Sequence, residues 1–245
     1  MYLGLLPRIL FNAIQRKFPI CEKGMVITVN YKFFIMLIPF AVGYLIGSIN
    51  LSIVVTKYIG KFDIRTRGSG NAGGTNVART MGAKWGIGVI VAEISKGFIV
   101  GLLAKYIFPG DIFGIGETGA VISGAVAVLG CLIGNTYPCF HGFKGGKGVT
   151  TCAAIMGVVD YKILIILVAV FLIVFFASRM VSLGSVIASI GMPVSTYIVY
   201  RGKPYFYILV IITSLMCISL IWNHRGNIKR ILNGTENKFS FGRKK

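Results

Sequence analysis

Apolar runs of bilayer length dominate this chain and restrict it to very few folds. Phe33–Thr56, Trp85–Phe108, Thr118–Pro138, Val149–Ser178 and the pair Leu183–Tyr200 and Tyr205–Trp222 each reach or approach the ~20 apolar residues needed to cross a hydrocarbon core. A mean hydropathy of +0.79 with only 13% charged residues excludes an ordinary water-soluble domain, whose surface calls for about 25%. Helices and closed barrels are the only spanning structures that satisfy their own backbone in lipid. Runs this long read as helices, so the expected fold class is all-α, a polytopic integral membrane protein.

The fourth run decides the topology. It is interrupted by Asp160-Tyr161-Lys162, and in a single helix those charges would sit near the bilayer centre at roughly 2.5–3.5 kcal/mol each. A tight hairpin places them at a surface instead. The hairpin gives seven transmembrane helices, with the polar stretches 57–84, 139–148, 179–182 and 223–245 on one face. That face gathers Lys57, Lys61, Arg65, Arg67, Arg79 and Lys84 with the tail cations Arg225, Lys229, Arg230, Lys238, Arg243, Lys244 and Lys245, as the positive-inside rule requires. The opposite loop, 109–117, holds Asp111, Glu117 and no base. Val149–Val159 is the short member of the set, about 16 Å of helix, and reads as a partly buried element.

Residues 33–245 thus form one membrane domain with glycine-rich cytoplasmic loops. Residues 1–32 form an N-terminal extension of unassigned role: Leu3–Phe18 has the pattern of an interfacial amphipathic helix, Pro7-Arg8 interrupts it as a signal peptide, and Met25 is an alternative start.

The charge balance, 26 Lys+Arg against 7 Asp+Glu, points to anionic partners. In so apolar a chain these are phospholipid surfaces or phosphorylated small molecules rather than nucleic acid. Five cysteines, an odd number without C-x-x-C spacing, indicate neither a disulfide framework nor a metal site.

Chemistry concentrates in four inner-face stretches. Gly68-Ser69-Gly70-Asn71-Ala72-Gly73-Gly74-Thr75-Asn76 alternates glycines with hydrogen-bonding side chains, a pattern whose backbone amides form a concave anion nest. A flexible linker has no need of the interleaved Ser, Asn, Thr and Asn. Arg79 follows at a spacing that places it on the first turn of a helix directed at the same anion. Lys144-Gly145-Gly146-Lys147-Gly148 opens an apolar helix as a phosphate cradle, yet it does not match the nucleotide-binding G-x-x-x-x-G-K-[ST] pattern. Ser182 and Ser185 share a helical face. His224 and Asn227 share another, in a tail whose cations alone would serve as a stop-transfer signal.

In this order, the four stretches resemble the bacterial acyl-phosphate:glycerol-3-phosphate acyltransferase family of the PlsY type. The resemblance covers roughly residues 36–240 and includes Gly43-Tyr44-Leu45-Ile46-Gly47-Ser48, Glu93 and Lys96-Gly97. Two positions depart from the family pattern: Asn135 stands where His is usual, and Glu93 where Asp is usual. The resemblance implies an integral plasma-membrane enzyme of phospholipid biosynthesis with its site facing the cytoplasm and no cofactor. It implies transfer of a fatty acyl group from acyl phosphate to the sn-1 hydroxyl of glycerol 3-phosphate. Ser69 and Arg79 would then hold the reacting groups. Gly68, Gly70, Asn71, Thr75 and Asn76 with Lys144, Gly145, Gly146, Lys147 and Gly148 would bind phosphate, Ser182 and Ser185 would add hydroxyls, and His224 with Asn227 would complete the site. A donor phosphate oxygen would take the hydroxyl proton, with His224 as the alternative base, and Glu236 would be structural. Membrane phospholipids are the expected surroundings and a monomer the expected state. An organophosphate transporter should carry an internal repeat with matching broken spans, which this chain lacks. An anionic-lipid anchor would explain the charge but not the glycine loops.

Overall fold

The computed structural model describes residues 26–108, 116–204 and 206–239. Most of the expected N-terminal extension, the acid of the opposite loop at Asp111, and the last three tail cations lie outside the described residues. Among those described, the regular elements are all helical: α1 (Val26–Gly47), α2 (Leu51–Tyr58), α3 (Gly74–Met81), α4 (Ala83–Ile107), α5 (Gly116–Thr136), α6 (Val149–Val159), α7 (Tyr161–Ser178), α8 (Val181–Tyr200), α9 (Phe206–Asn223) and α10 (Arg225–Leu232), with short 3-10 turns at Ile64–Thr66 and Cys139–His141. Among the described residues six spans are long and apolar enough to cross a membrane, α1 and α2 together making the first. The expected seventh, α6, has eleven residues and is buried along most of its length.

Glycines set the closest packing. On α1, a Cβ at Gly43 or Gly47 would stand 1.9 or 2.2 Å from the Ala127 or Cys131 carbonyl oxygen of α5. Reciprocally, Gly130 and Gly134 of α5 lie against the Phe40 and Tyr44 carbonyls. Each helix thus offers a pair of glycines four residues apart to the other, the small-residue seam by which membrane helices bring their backbones into contact.

The first span is not continuous. The helix breaks at Ser48-Ile49-Asn50, and the freed backbone groups find partners that lipid does not supply. The Asn50 side chain accepts from Ile53 N (3.1 Å), Lys96 Nζ donates to Ile49 O (2.8 Å), and Glu93 Oε1 accepts from Leu51 N (2.7 Å). Glu93 and Lys96 are themselves an ion pair at 2.7 Å with side chains 5% and 11% exposed. A buried ion pair on α4 therefore caps both stumps of the interrupted helix.

The hairpin at Asp160 is present. Asp160 is extended and caps α7 through Lys162 N, while the terminal carbonyl of α6 at Val159 accepts from Tyr200 Oη (2.7 Å). Helix α7 turns Ile165, Ile166, Ile173 and Phe176 outward, as a bilayer-facing helix does. Through this hairpin the loop between α2 and α3, the loop before α6, the α7–α8 junction and the tail after α9 converge on one end of the bundle, around a single cavity.

Candidate active site

The first glycine loop is held from within by Asn76, which is 1% exposed. Its Oδ1 accepts from Ser69 N (2.9 Å), and its Nδ2 faces the carbonyls of Ile64, Arg67 and Asn71 at 2.9–3.2 Å. With its amide fully engaged, Asn76 shapes the loop. This internal bonding lets α3 begin inside the motif, at Gly74 with Gly73 as its cap. The sequence expectation for Arg79 is corrected here: it lies in the last turn of α3, not the first. Arg79 still reaches the cavity, and among the described residues its guanidinium has no hydrogen-bond or ion-pair partner.

The second loop divides into two parts. The amides of Gly145 and Gly146 donate to Thr136 O and Asn135 O (both 3.0 Å), closing the C-terminus of α5 rather than facing an anion. Lys144 is exposed, and its carbonyl accepts from Arg65 (3.1 Å). Gly68, Lys144, Gly145 and Gly146 stay outside the cavity wall, whereas Lys147 and Gly148 form part of it. Gly148 has φ +80° and caps α6, so the chain turns from loop to helix at the cavity surface.

Ser182 and Ser185 both line the cavity from α8, and each hydroxyl donates within the protein. Ser182 Oγ donates to Glu236 Oε1 (2.7 Å) and Ser185 Oγ to Val181 O (2.8 Å). Glu236 organises the tail. Its Oε1 also accepts from Asn227 Nδ2 (2.6 Å), and its Oε2 accepts from Arg230 Nε (2.8 Å). Burial would raise the Glu236 pKa, but the three hydrogen bonds outweigh it and hold the carboxylate ionised below its usual range. Asn227 in turn accepts from Lys147 Nζ.

Burial drives Lys147 down to about 8, Glu236 opposing and Arg230 and Arg79 adding to the fall. His224, 2% exposed, caps α10. Burial, followed by the neighbouring Lys147 charge, lowers it to about 4, so it is neutral at physiological pH. Its Nδ1 lies 2.8 Å from Leu220 O. A carbonyl only accepts, so Nδ1 carries the proton and Nε2 keeps a free lone pair.

The cavity encloses about 750 Å³ and has two characters. At its polar end four helices present their N-termini: α3 at Gly73–Thr75, α6 at Gly148–Thr150, α8 at Val181 and Ser182, and α10 at His224–Asn227. The first amides of a helix have no intrahelical partner and carry the positive end of its dipole, so this end is a composite anion site. Arg79, Lys147, Arg225 and Arg230 add positive charge, against the already paired carboxylates Glu93 and Glu236. Ile90 packs against Gly74, and the apolar remainder of the wall comes from Ile94 of α4, Met156 of α6, Leu167 and Phe171 of α7 and Met192 of α8.

Sequence reasoning missed Thr150, Gly226 and Arg230 in the wall, and Arg65 and Asn50 behind it. Thr150 lies two residues beyond the cradle, and Gly226 and Arg230 lie in the same tail stretch as His224 and Asn227. Arg65 and Asn50 carried no signal beyond charge or polarity.

Residues 37–234 match the family model described as glycerol-3-phosphate acyltransferase. The chain is 36% identical over 223 residues to a glycerol-3-phosphate acyltransferase of Chlorobaculum tepidum, covering 83% of this chain and 96% of the relative. It is 40% identical over 204 residues to one of Clostridioides difficile, covering 83% and 94%. Among solved structures it resembles PlsY (YgiH), an integral membrane glycerol 3-phosphate acyltransferase. The glycerol 3-phosphate form superposes with a TM-score of 0.71 at 34% identity, covering 84% of this chain and 96% of that one. The lysophosphatidic acid form gives 0.69 at 33% identity, covering 84% and 95%.

Proposed function

The chain belongs to the glycerol-3-phosphate acyltransferase family, and from that premise we propose that it transfers a fatty acyl group from acyl phosphate to the sn-1 hydroxyl of glycerol 3-phosphate, forming 1-acyl-glycerol 3-phosphate and phosphate. It is a membrane acyltransferase of phospholipid biosynthesis. The observation that carries the finer reading is the two-ended cavity: four helix N-termini and four cations at one end, an apolar channel at the other. Two anions that repel each other, one of them attached to a hydrocarbon chain, match that shape and charge.

Each residue then has a role. The backbone amides of Asn71 and Thr75 with Ser69 and Arg79 receive one phosphate, Gly70 shaping the turn through its own bond to Arg67 O, and Lys147 with the backbone amides of Gly148 and Asn227 the other, with Ser182 and Ser185 on the flank. Bringing the anions together is the main barrier, and pre-oriented amides and cations lower it without reorganising during the reaction. The glycerol hydroxyl oxygen bonds to the acyl carbonyl carbon, the carbon–oxygen bond to phosphate breaks, and phosphate leaves with the electron pair. The proton goes to a phosphate oxygen. Its pKa, on the order of 6, makes it a better acceptor than His224 at about 4, whose free Nε2 is left to accept from the second glycerol hydroxyl and so orient the substrate.

The basic loops at the cavity end support placing the site at the cytoplasmic face of the plasma membrane. The family match over residues 37–234 supports a single membrane domain over 33–245. Purified protein supplied with palmitoyl phosphate and glycerol 3-phosphate is expected to yield lysophosphatidate and release phosphate only when both are present. Absence of that product overturns the proposal.

A further inference from the structure

The two anion-binding loops come from segments far apart in sequence, and side chains outside the cavity join them. On the solvent side, Arg65 Nη1 donates to the carbonyls of His141 (2.6 Å) and Lys144 (3.1 Å) in the second loop. The opposite edge of the same guanidinium is held by Asp63, which accepts from Nε (3.0 Å) and Nη2 (2.7 Å) and also from the Arg65 amide (2.9 Å). The fork therefore has one orientation, with its remaining donors turned toward the second loop.

On the buried side, Asn50, wholly unexposed, reaches Ala72 O in the first loop (3.3 Å) and Asn135 Oδ1 (2.7 Å). Asn135 O in turn accepts from Gly146 N (3.0 Å). Between these points the backbones touch: a Cβ on Gly146 would stand 2.4 Å from Ala72 O. Neither Arg65 nor Asn50 lines the cavity.

We propose that Arg65 is a positioning residue that fixes the spacing of the two anion-binding loops, with the Asn50–Asn135 contact as the inner point about which they would otherwise swing apart. This rests on the reading of both loops as phosphate sites. Only a planar guanidinium bridges a carboxylate and two carbonyls at once; a lysine keeps the charge but not the fork. The spacing sets the distance between attacking hydroxyl and acyl carbon, where a misplacement of about 1 Å costs on the order of 100-fold in rate.

The test uses the full chain in detergent, as wild type, R65A and R65K. Spin labels at Arg67→Cys and Phe140→Cys, in a background with the native cysteines replaced, report the distance across the loops without any need for turnover. The expected result is one narrow distance in wild type and a broad distribution in both variants. In kinetics, both variants lose on the order of 100-fold in kcat, KM for glycerol 3-phosphate stays within about threefold as each loop keeps its own amides, and inorganic phosphate still protects against thermal unfolding. An unchanged distance distribution, or a lysine variant as active as wild type, overturns the proposal. Should wild type itself make no lysophosphatidate, the functional reading falls while the distance measurement still decides this one.

Discussion

The Lys147 ammonium donates to the amide oxygen of Asn227, although the two residues lie 80 positions apart in the chain. The Asn227 nitrogen is committed to Glu236 at 2.6 Å, so its oxygen has no freedom but to face Lys147. A carboxylate at the cavity edge, its charge met by Arg230, therefore aims the cation through an intermediate amide. This neutral relay puts an amide, not the carboxylate, in contact with Lys147, while leaving Lys147 enough support to stay half-buried.

Lys147 sets the alkaline limb of activity. Its pKa of about 8 lies below the ordinary value, so the free enzyme loses the cation as pH rises through that point and kcat/KM falls with it. The kcat limb lies higher, because bound phosphate favours the charged form. Folding stability moves the other way. From about pH 8 upward the unfolded chain holds a proton that the folded one has released, so this group makes the fold more stable as pH rises toward 10.5. Lys147→Arg is expected to abolish the limb near 8, and a pH–rate profile checks it.

Arg79 has no partner among the described residues, and it is exposed. Arg79→Ala is expected to leave the melting temperature unchanged while lowering kcat/KM at least ~100-fold, consistent with losing two charge-assisted hydrogen bonds of about 1.5–3 kcal/mol each. Parallel thermal-shift and steady-state measurements check the dissociation of the two effects.

Gly145 is a matter of space. A Cβ there would lie 2.1 Å from Asn135 O and 2.7 Å from Pro138 Cδ, whereas one at Gly142 would meet nothing within 4 Å. Gly145→Ala is expected to destabilise by on the order of 1–3 kcal/mol or more and to lose activity with it, rather than to raise KM alone. Gly142→Ala bears only the backbone strain of φ +65° and keeps activity. Melting curves of both variants are the measurement.

The Glu93–Lys96 pair should behave as a unit. Glu93→Ala leaves a buried ammonium and an uncapped Leu51 amide, with an expected loss of about 3–5 kcal/mol. The double variant Glu93→Ala/Lys96→Met is expected to be less damaged than the single one. A double-mutant cycle by thermal unfolding gives the coupling, and additive losses would speak against it.

The sequence by itself determined that this chain crosses a membrane as helices, that it turns back at Asp160, and that its glycine and basic stretches belong at one end. Those conclusions follow from transfer free energies and charge parity, which are properties of segments and need no knowledge of neighbours. The resemblance carried by the glycine loops, Lys147 and His224 located the family through short local motifs. Only the tertiary structure decided that the first span breaks at Asn50 and is capped by an ion pair from α4. It alone decided that Gly145 and Gly146 serve α5 instead of a ligand, that Asn76 is structural, and that four helix N-termini converge. The reason is that a hydrogen bond depends on which backbone group comes within about 3 Å, and in a bundle those partners are set by packing between segments distant in the chain, where sequence spacing carries no information.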